Sequence, residues 1–184
     1  MGRTLTASLL AGCALGVGAT QALGYGTIVG LGQNAEHERM TRRALACPTG
    51  TASTGICFED RSIGSLAGTR GSVGAVGYPD VSTYINNGAY HCDGGDTDPI
   101  AGYPQSARAA AAKLRKCRAV NNSRLDAAVS AAARMLGPKN EILAGEVGLA
   151  TSCTFAGGFS GRAKCDVLWQ LGIALHVTQD FYAH

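Results

Sequence analysis

The 184-residue chain sets 16 Lys and Arg against 13 Asp and Glu, a formal net charge of +3, with 46% hydrophobic and 16% charged residues. That balance fits one globular domain with a sizeable core. Basic residues are scattered apart from short clusters at 42–43 and 113–118, so nothing in the charge demands nucleic acid or an anionic membrane as a partner.

The first 24 residues, MGRTLTASLLAGCALGVGATQALG, place Arg3 before an apolar run from Leu5 to Val17 and then small residues suited to cleavage near Ala22 or Gly24. This is the pattern of a secretory signal peptide, which predicts a secreted, extracellular mature chain from residue 25. The apolar run is shorter than the roughly 20 residues a bilayer requires, so no stable membrane span is expected. LAGC at 10–13 also matches a lipoprotein box with Cys13 as the lipidated residue, a second reading of the same segment.

Removing that segment with Cys13 leaves six of the seven cysteines, an even number suited to disulfides in an oxidising compartment. Of fifteen possible connectivities, the intervals make Cys47–Cys57, Cys92–Cys117 and Cys153–Cys165 the least entangled. A cysteine zinc site is the competing reading, but no C-x-x-C pair occurs.

Residues 35–47 alternate apolar and charged positions at helical spacing, which predicts an amphipathic helix of about three turns, broken by PTGTAST. From 48 to about 105 the chain is rich in Gly, Ser, Thr and Asp, and Pro79, Pro99 and Pro104 oppose long helices. So long an irregular span inside a compact domain is usually functional. Two further helices are expected over 106–120 and 123–137, with Ser123 as N-cap and Gly137 as C-cap of the second, and a weaker one over 140–153. NNS at 121–123 is a glycosylation sequon if the host glycosylates. A last helix starts at Ser160 or Gly161 and carries Val167, Leu168, Leu171, Leu175 and Val177 through its middle.

The chain has four histidines, His37, His91, His176 and His184. On the last helix His176, Asp180 and His184 follow at i, i+4 and i+8, and so share one face. An i, i+4 pair can present two ligand heads to one ion. The full set spans about 12 Å along the axis, so His184 suits a neighbouring metal or a substrate phosphate. Each residue also has an ordinary reading: His37 among Glu36, Glu38 and Arg39 as a solvated helix residue, Asp80 after Pro79 as a turn residue, Asp180 as an exposed helical carboxylate.

HVTQDFYAH at 176–184, taken with AEHERMTRRAL at 35–45, GAVGYPD at 74–80 and AYHCDGGD at 89–96, resembles the secreted CinY-like and Het-C-like proteins. These are distant relatives of the zinc-dependent phospholipase C and fungal single-strand nuclease superfamily. The resemblance covers most of residues 33–184. It implies an all-α, multi-helix bundle of phospholipase C/nuclease type, here with a long disulfide-stapled irregular insertion, and more than one Zn2+ in the full-length protein.

By matched position the resemblance implies His176 and Asp180 as ligands, with Asp180 bridging two metals. Asp80 and His91 would complete the first site, His37 would serve a second and His184 a third. The superfamily carries further His and acidic ligands downstream, which predicts that the single metal-binding domain over 25–184 is truncated at its C-terminus. Two functions follow as expectations. One is a secreted zinc-dependent phosphoesterase acting on a phospholipid, a nucleic acid or another phosphate ester, with Asp80 also taking a proton from the attacking water. The other is a non-catalytic Het-C-like protein that uses the metal centre for structure or recognition.

Overall fold

The structure is a computed structural model that describes residues 26–30, 33–69, 72–155 and 161–183; the segment expected to be a signal peptide, with Cys13, and His184, lie outside the described residues. A two-stranded ribbon, β1 (Val29–Gly30) paired antiparallel with β2 (Gln33–Asn34), leads into α1 (Glu36–Leu45). Glu36 and Glu38 lie in the first turn of α1, and Arg42 and Arg43 in the last, matching the helix dipole at both ends. The Glu36 carboxylate accepts the Gly26 and Asn34 amides and folds the entering strand back onto the helix start.

The segment expected to be irregular contains α2 (Asp60–Ala67), a 3-10 turn over Tyr78–Val81 and α3 (Gly88–His91), and it folds over the helices with no extended sheet among the described residues. α2 presents Ile63, Leu66 and Ala67 to the core against the last helix.

The next long helix differs from expectation. α4 (Ala107–Ala133) is continuous through Ser123, with Ser106 as its N-cap and Arg134 as its C-cap. Ser123 is therefore mid-helix and Gly137 lies beyond the end. The alanine-rich text and packing along the last helix outweigh the weak break signal of one serine. Asn121 of the sequon lies inside α4 and donates its amide to the Thr178 hydroxyl at 2.9 Å, which removes it as an exposed loop acceptor. Of the helix expected over 140–153, only α5 (Ala144–Val147) forms, as its glycines predict.

α6 (Ala163–Phe181) is the axis of the fold. It buries residues around most of its circumference, among them Leu168, Trp169, Ile173, Ala174, His176, Val177 and Asp180, because α4, α3, α2, α5, α1 and the 3-10 turn all contact it. Leu168 and Val177, two of the apolar residues carried through the middle of this helix, are 2% and 0% exposed. Phe155 and Tyr78 close on Trp169, with ring centroids 5.4 and 4.3 Å away.

The three disulfides Cys47–Cys57, Cys92–Cys117 and Cys153–Cys165 are those the intervals favoured, typical of an extracellular protein. The second ties α3 to α4, and the third ties the loop before α6 to its first turn. Among the described residues no helix is long and apolar enough to cross a membrane.

Two glycines set the path of the 74–77 turn, one against the end of α2 and one against α6. Gly74 has φ +61°, and a side chain there would strike the backbone of Ala67 and Gly68. At Gly172 a Cβ would lie 2.6 Å from the Ala75 carbonyl carbon and 2.8 Å from the Val76 nitrogen. The bare helix face therefore lets the Val76 backbone sit directly on α6, one turn before His176.

Candidate metal centre

Five side chains from four elements meet at the end of α6. His176 and Asp180 come from α6, His37 from the first turn of α1, Asp80 from the 3-10 turn and His91 from the last residue of α3. Asp180 lies between the three imidazoles: its Oδ2 is 3.0 Å from His176 Nε2 and 3.1 Å from His91 Nδ1, and its Oδ1 is 3.3 Å from His37 Nε2. Asp80 Oδ1 lies 3.6 Å from both His91 Nδ1 and His176 Nε2, and its Oδ2 lies 3.8 Å from His37 Nε2. The inner nitrogens of His91 and His176 are themselves 3.0 Å apart, and the His37 and His176 rings face each other at 4.3 Å.

Burial divides the five unevenly. His37 and His176 are 0% exposed and Asp180 is 2% exposed, whereas the Asp80 side chain keeps 26% of its surface open. Asp80 is thus the member facing solvent, and its orientation is held by the Thr27 hydroxyl, which donates to Oδ2.

Each imidazole is held from outside through its other nitrogen. His176 Nδ1 donates to the Val76 carbonyl at 2.9 Å, His91 Nε2 to the Tyr84 carbonyl at 3.3 Å, and His37 Nδ1 to Gln179 Oε1 at 2.7 Å. An acceptor on the outer nitrogen requires N–H there, so a neutral ring turns its lone pair inward. Three inward lone pairs and two carboxylates repel one another unless protons or a cation lie among them.

The charge response of the groups agrees. Burial alone pushes the His37 and His91 imidazoles down, but the hydrogen bonds and charge of Asp180, with Asp80, lift both above the ordinary value. Burial pushes the Asp180 carboxyl up, yet the hydrogen bonds from His176, His37 and His91 prevail and hold it far below the carboxylate range. The cluster stabilises positive charge at its centre.

A metal ion satisfies the same demand. Ligand atoms about 2.1 Å from a tetrahedral ion lie about 3.4 Å apart. The separations here, from 3.0 Å for His176–Asp180 to 3.8 Å for His37–Asp80, bracket that edge. His37, Asp80 and His176 form one set of three with donor atoms within 4.8 Å of one another, and His91, His176 and Asp180 form a second. Because His176 Nε2 has a single lone pair, the two sets are overlapping halves of one centre. Asp180 Oδ1, buried without a hydrogen bond of normal geometry, is an oxygen that such an ion would satisfy. These buried His and Asp groups could therefore hold a metal ion.

Of the six residues singled out in the sequence, five converge: His37, Asp80, His91, His176 and Asp180; His184 is outside the described residues. His37 is fully buried rather than solvated, because α1 lays its first turn against the end of α6. Gln179 and Thr41 went unnoticed. Thr41 lies one helical turn beyond His37, on the same face, and that spacing could have drawn attention to it. The Val76 and Tyr84 carbonyls carry no residue-type signal.

Comparison with protein-family models, curated proteins and solved structures finds no match for this chain.

Proposed function

We propose that the protein is a secreted zinc-dependent phosphoesterase, hydrolysing phosphate esters in the manner of phospholipase C or a nuclease. One observation carries this reading: three imidazoles and two carboxylates from distant parts of the chain share one centre, and every imidazole is anchored on its outer nitrogen, the arrangement usual for metal-ligating histidines. Imidazole and carboxylate together suit zinc. The resemblance of the four sequence segments to CinY-like and Het-C-like proteins supports the same assignment.

In this reading His37, His91, His176 and Asp180 hold zinc, and Asp80 contributes to the same centre. Bound zinc supplies Lewis-acid polarisation of a phosphoryl oxygen and lowers the pKa of water toward 7. Asp80, the most open of the five, receives the proton of the attacking water on its carboxylate, which Thr27 keeps oriented. The three disulfides and the N-terminal signal pattern support an extracellular site of action.

One observation favours a second reading, a non-catalytic protein that uses the metal as a staple or a recognition surface. Three donors are at most 2% exposed, and five donors exceed the four that fill a closed structural zinc site. Metal analysis of the purified protein, with hydrolysis of bis(p-nitrophenyl) phosphate before and after chelation, separates the two. Stoichiometric zinc with chelator-sensitive, zinc-restored hydrolysis supports the enzyme. Zinc without hydrolysis supports the staple, and absence of bound metal after incubation with zinc defeats both.

A further inference from the structure

Two of the three outer acceptors in the centre are backbone carbonyls, whose chemistry no substitution of their own side chains alters. The third is a side chain. Gln179 Oε1 takes the His37 Nδ1 proton at 2.7 Å, and its amide nitrogen donates in turn to Thr41 Oγ1 at 2.9 Å. Thr41 is 1% exposed and stands one turn after His37 on α1, so the contact closes a loop between α1 and α6.

We infer that Gln179 is a positioning residue that selects the His37 tautomer, keeping the proton on Nδ1 and the lone pair of Nε2 on the carboxylate side. An amide is two-faced. With its oxygen toward His37, the ring must carry Nδ1–H and turns an acceptor inward. With its nitrogen toward His37, the ring must accept at Nδ1 and carry Nε2–H, which points a proton at Asp180 Oδ1, 3.3 Å away, and cannot ligate. In the structure the amide takes the first orientation, with Oε1 toward His37 Nδ1 and the amide nitrogen toward Thr41 Oγ1.

The consequence for metal affinity rests on the proposed metal centre; the tautomer itself does not. Loss of an outer partner of a metal-ligating histidine lowers affinity by about 10- to 100-fold. Gln179→Leu removes the acceptor at similar size, while Gln179→Glu keeps an acceptor and adds charge behind the ring.

The test is two-bond 1H–15N correlation of the imidazoles in the metal-free full chain, above the pH at which His37 loses its second proton, with zinc affinity by competition against a chromogenic chelator. Wild type and Gln179→Glu should show His37 with Nδ1 protonated. Gln179→Leu should shift the ring toward Nε2–H and bind zinc about 10- to 100-fold more weakly. An unchanged tautomer and affinity in Gln179→Leu overturns the inference while leaving the metal centre standing. A wild type that binds no zinc, yet loses the Nδ1–H tautomer in Gln179→Leu, overturns the metal centre and leaves the positioning role standing. Should Gln179→Leu fail to fold, Gln179→Glu decides: retained Nδ1–H with affinity at or above wild type supports the role, and a switch to Nε2–H overturns it.

Discussion

Asp180→Asn is the most informative single change, because one carboxylate faces three imidazoles. Its oxygens lie 3.0, 3.1 and 3.3 Å from His176, His91 and His37, in a residue 2% exposed. In the metal-free protein His37 and His91 are held above the usual imidazole value of about 6.5. Their contribution to stability is complete below that pH and is lost as pH rises through the elevated values. Asp180 is held below the usual carboxylate value, so its contribution is complete above about pH 4 and is lost only in stronger acid. Both operate together between about pH 4 and 6.5. There the amide leaves buried imidazolium charge with only the more distant and more open Asp80 carboxylate as counter-charge, a loss of up to about 3–5 kcal/mol. Above the elevated imidazole values only ordinary hydrogen bonds are exchanged, and the loss should shrink to about 1 kcal/mol. Urea unfolding, followed by circular dichroism, of metal-free wild type and variant at pH 5.5 and at a pH above the His37 and His91 transitions, located by NMR titration of the imidazoles, measures both. Zinc affinity should fall at least 100-fold, or about 2.7 kcal/mol, since losing a direct ligand exceeds losing its outer partner. Equal destabilisation at the two pH values would refute the charge reasoning, and zinc affinity within about threefold of wild type would remove Asp180 from the centre.

Gly172→Ala should destabilise by about 1–3 kcal/mol and weaken zinc binding, because its Cβ meets the Ala75–Val76 backbone that presents the carbonyl to His176; unchanged unfolding would show that the turn can retreat. Replacing Cys92 and Cys117 together by Ala opens a 25-residue loop and should lower stability by about 3.5 kcal/mol on the chain-entropy account, seen as a lower urea midpoint. The same variant should bind zinc more weakly, since Cys92 adjoins His91; equal affinity would show that α3 holds its place unaided. Thiol titration of residues 25–184 under denaturing, non-reducing conditions should find no free cysteine, and any substantial thiol signal contradicts the three bridges. Because zinc requires deprotonated imidazoles, the melting-temperature gain on adding zinc should grow from pH 5.5 to 8; a gain that falls with pH would exclude histidine ligation.

The sequence by itself determined the helical character of both ends, the nearest-neighbour disulfides and the His176–Asp180 pair, because helical period and short loop closure are local properties. It misjudged the continuity of α4, where Ser123 offers a weak local preference and burial against α6 prevails. It offered no reason to bury His37, whose neighbours Glu36, Glu38 and Arg39 are all polar. Only the tertiary structure decided that α1, the 3-10 turn and α3 deliver His37, Asp80 and His91 to one end of α6. Only it supplied the acceptors behind the rings. The direction of a carbonyl such as Val76 O depends on how closely the 74–77 turn approaches α6; Gly172 makes that approach possible, but which turn fills the bare face is a property of packing that is not legible in the local sequence.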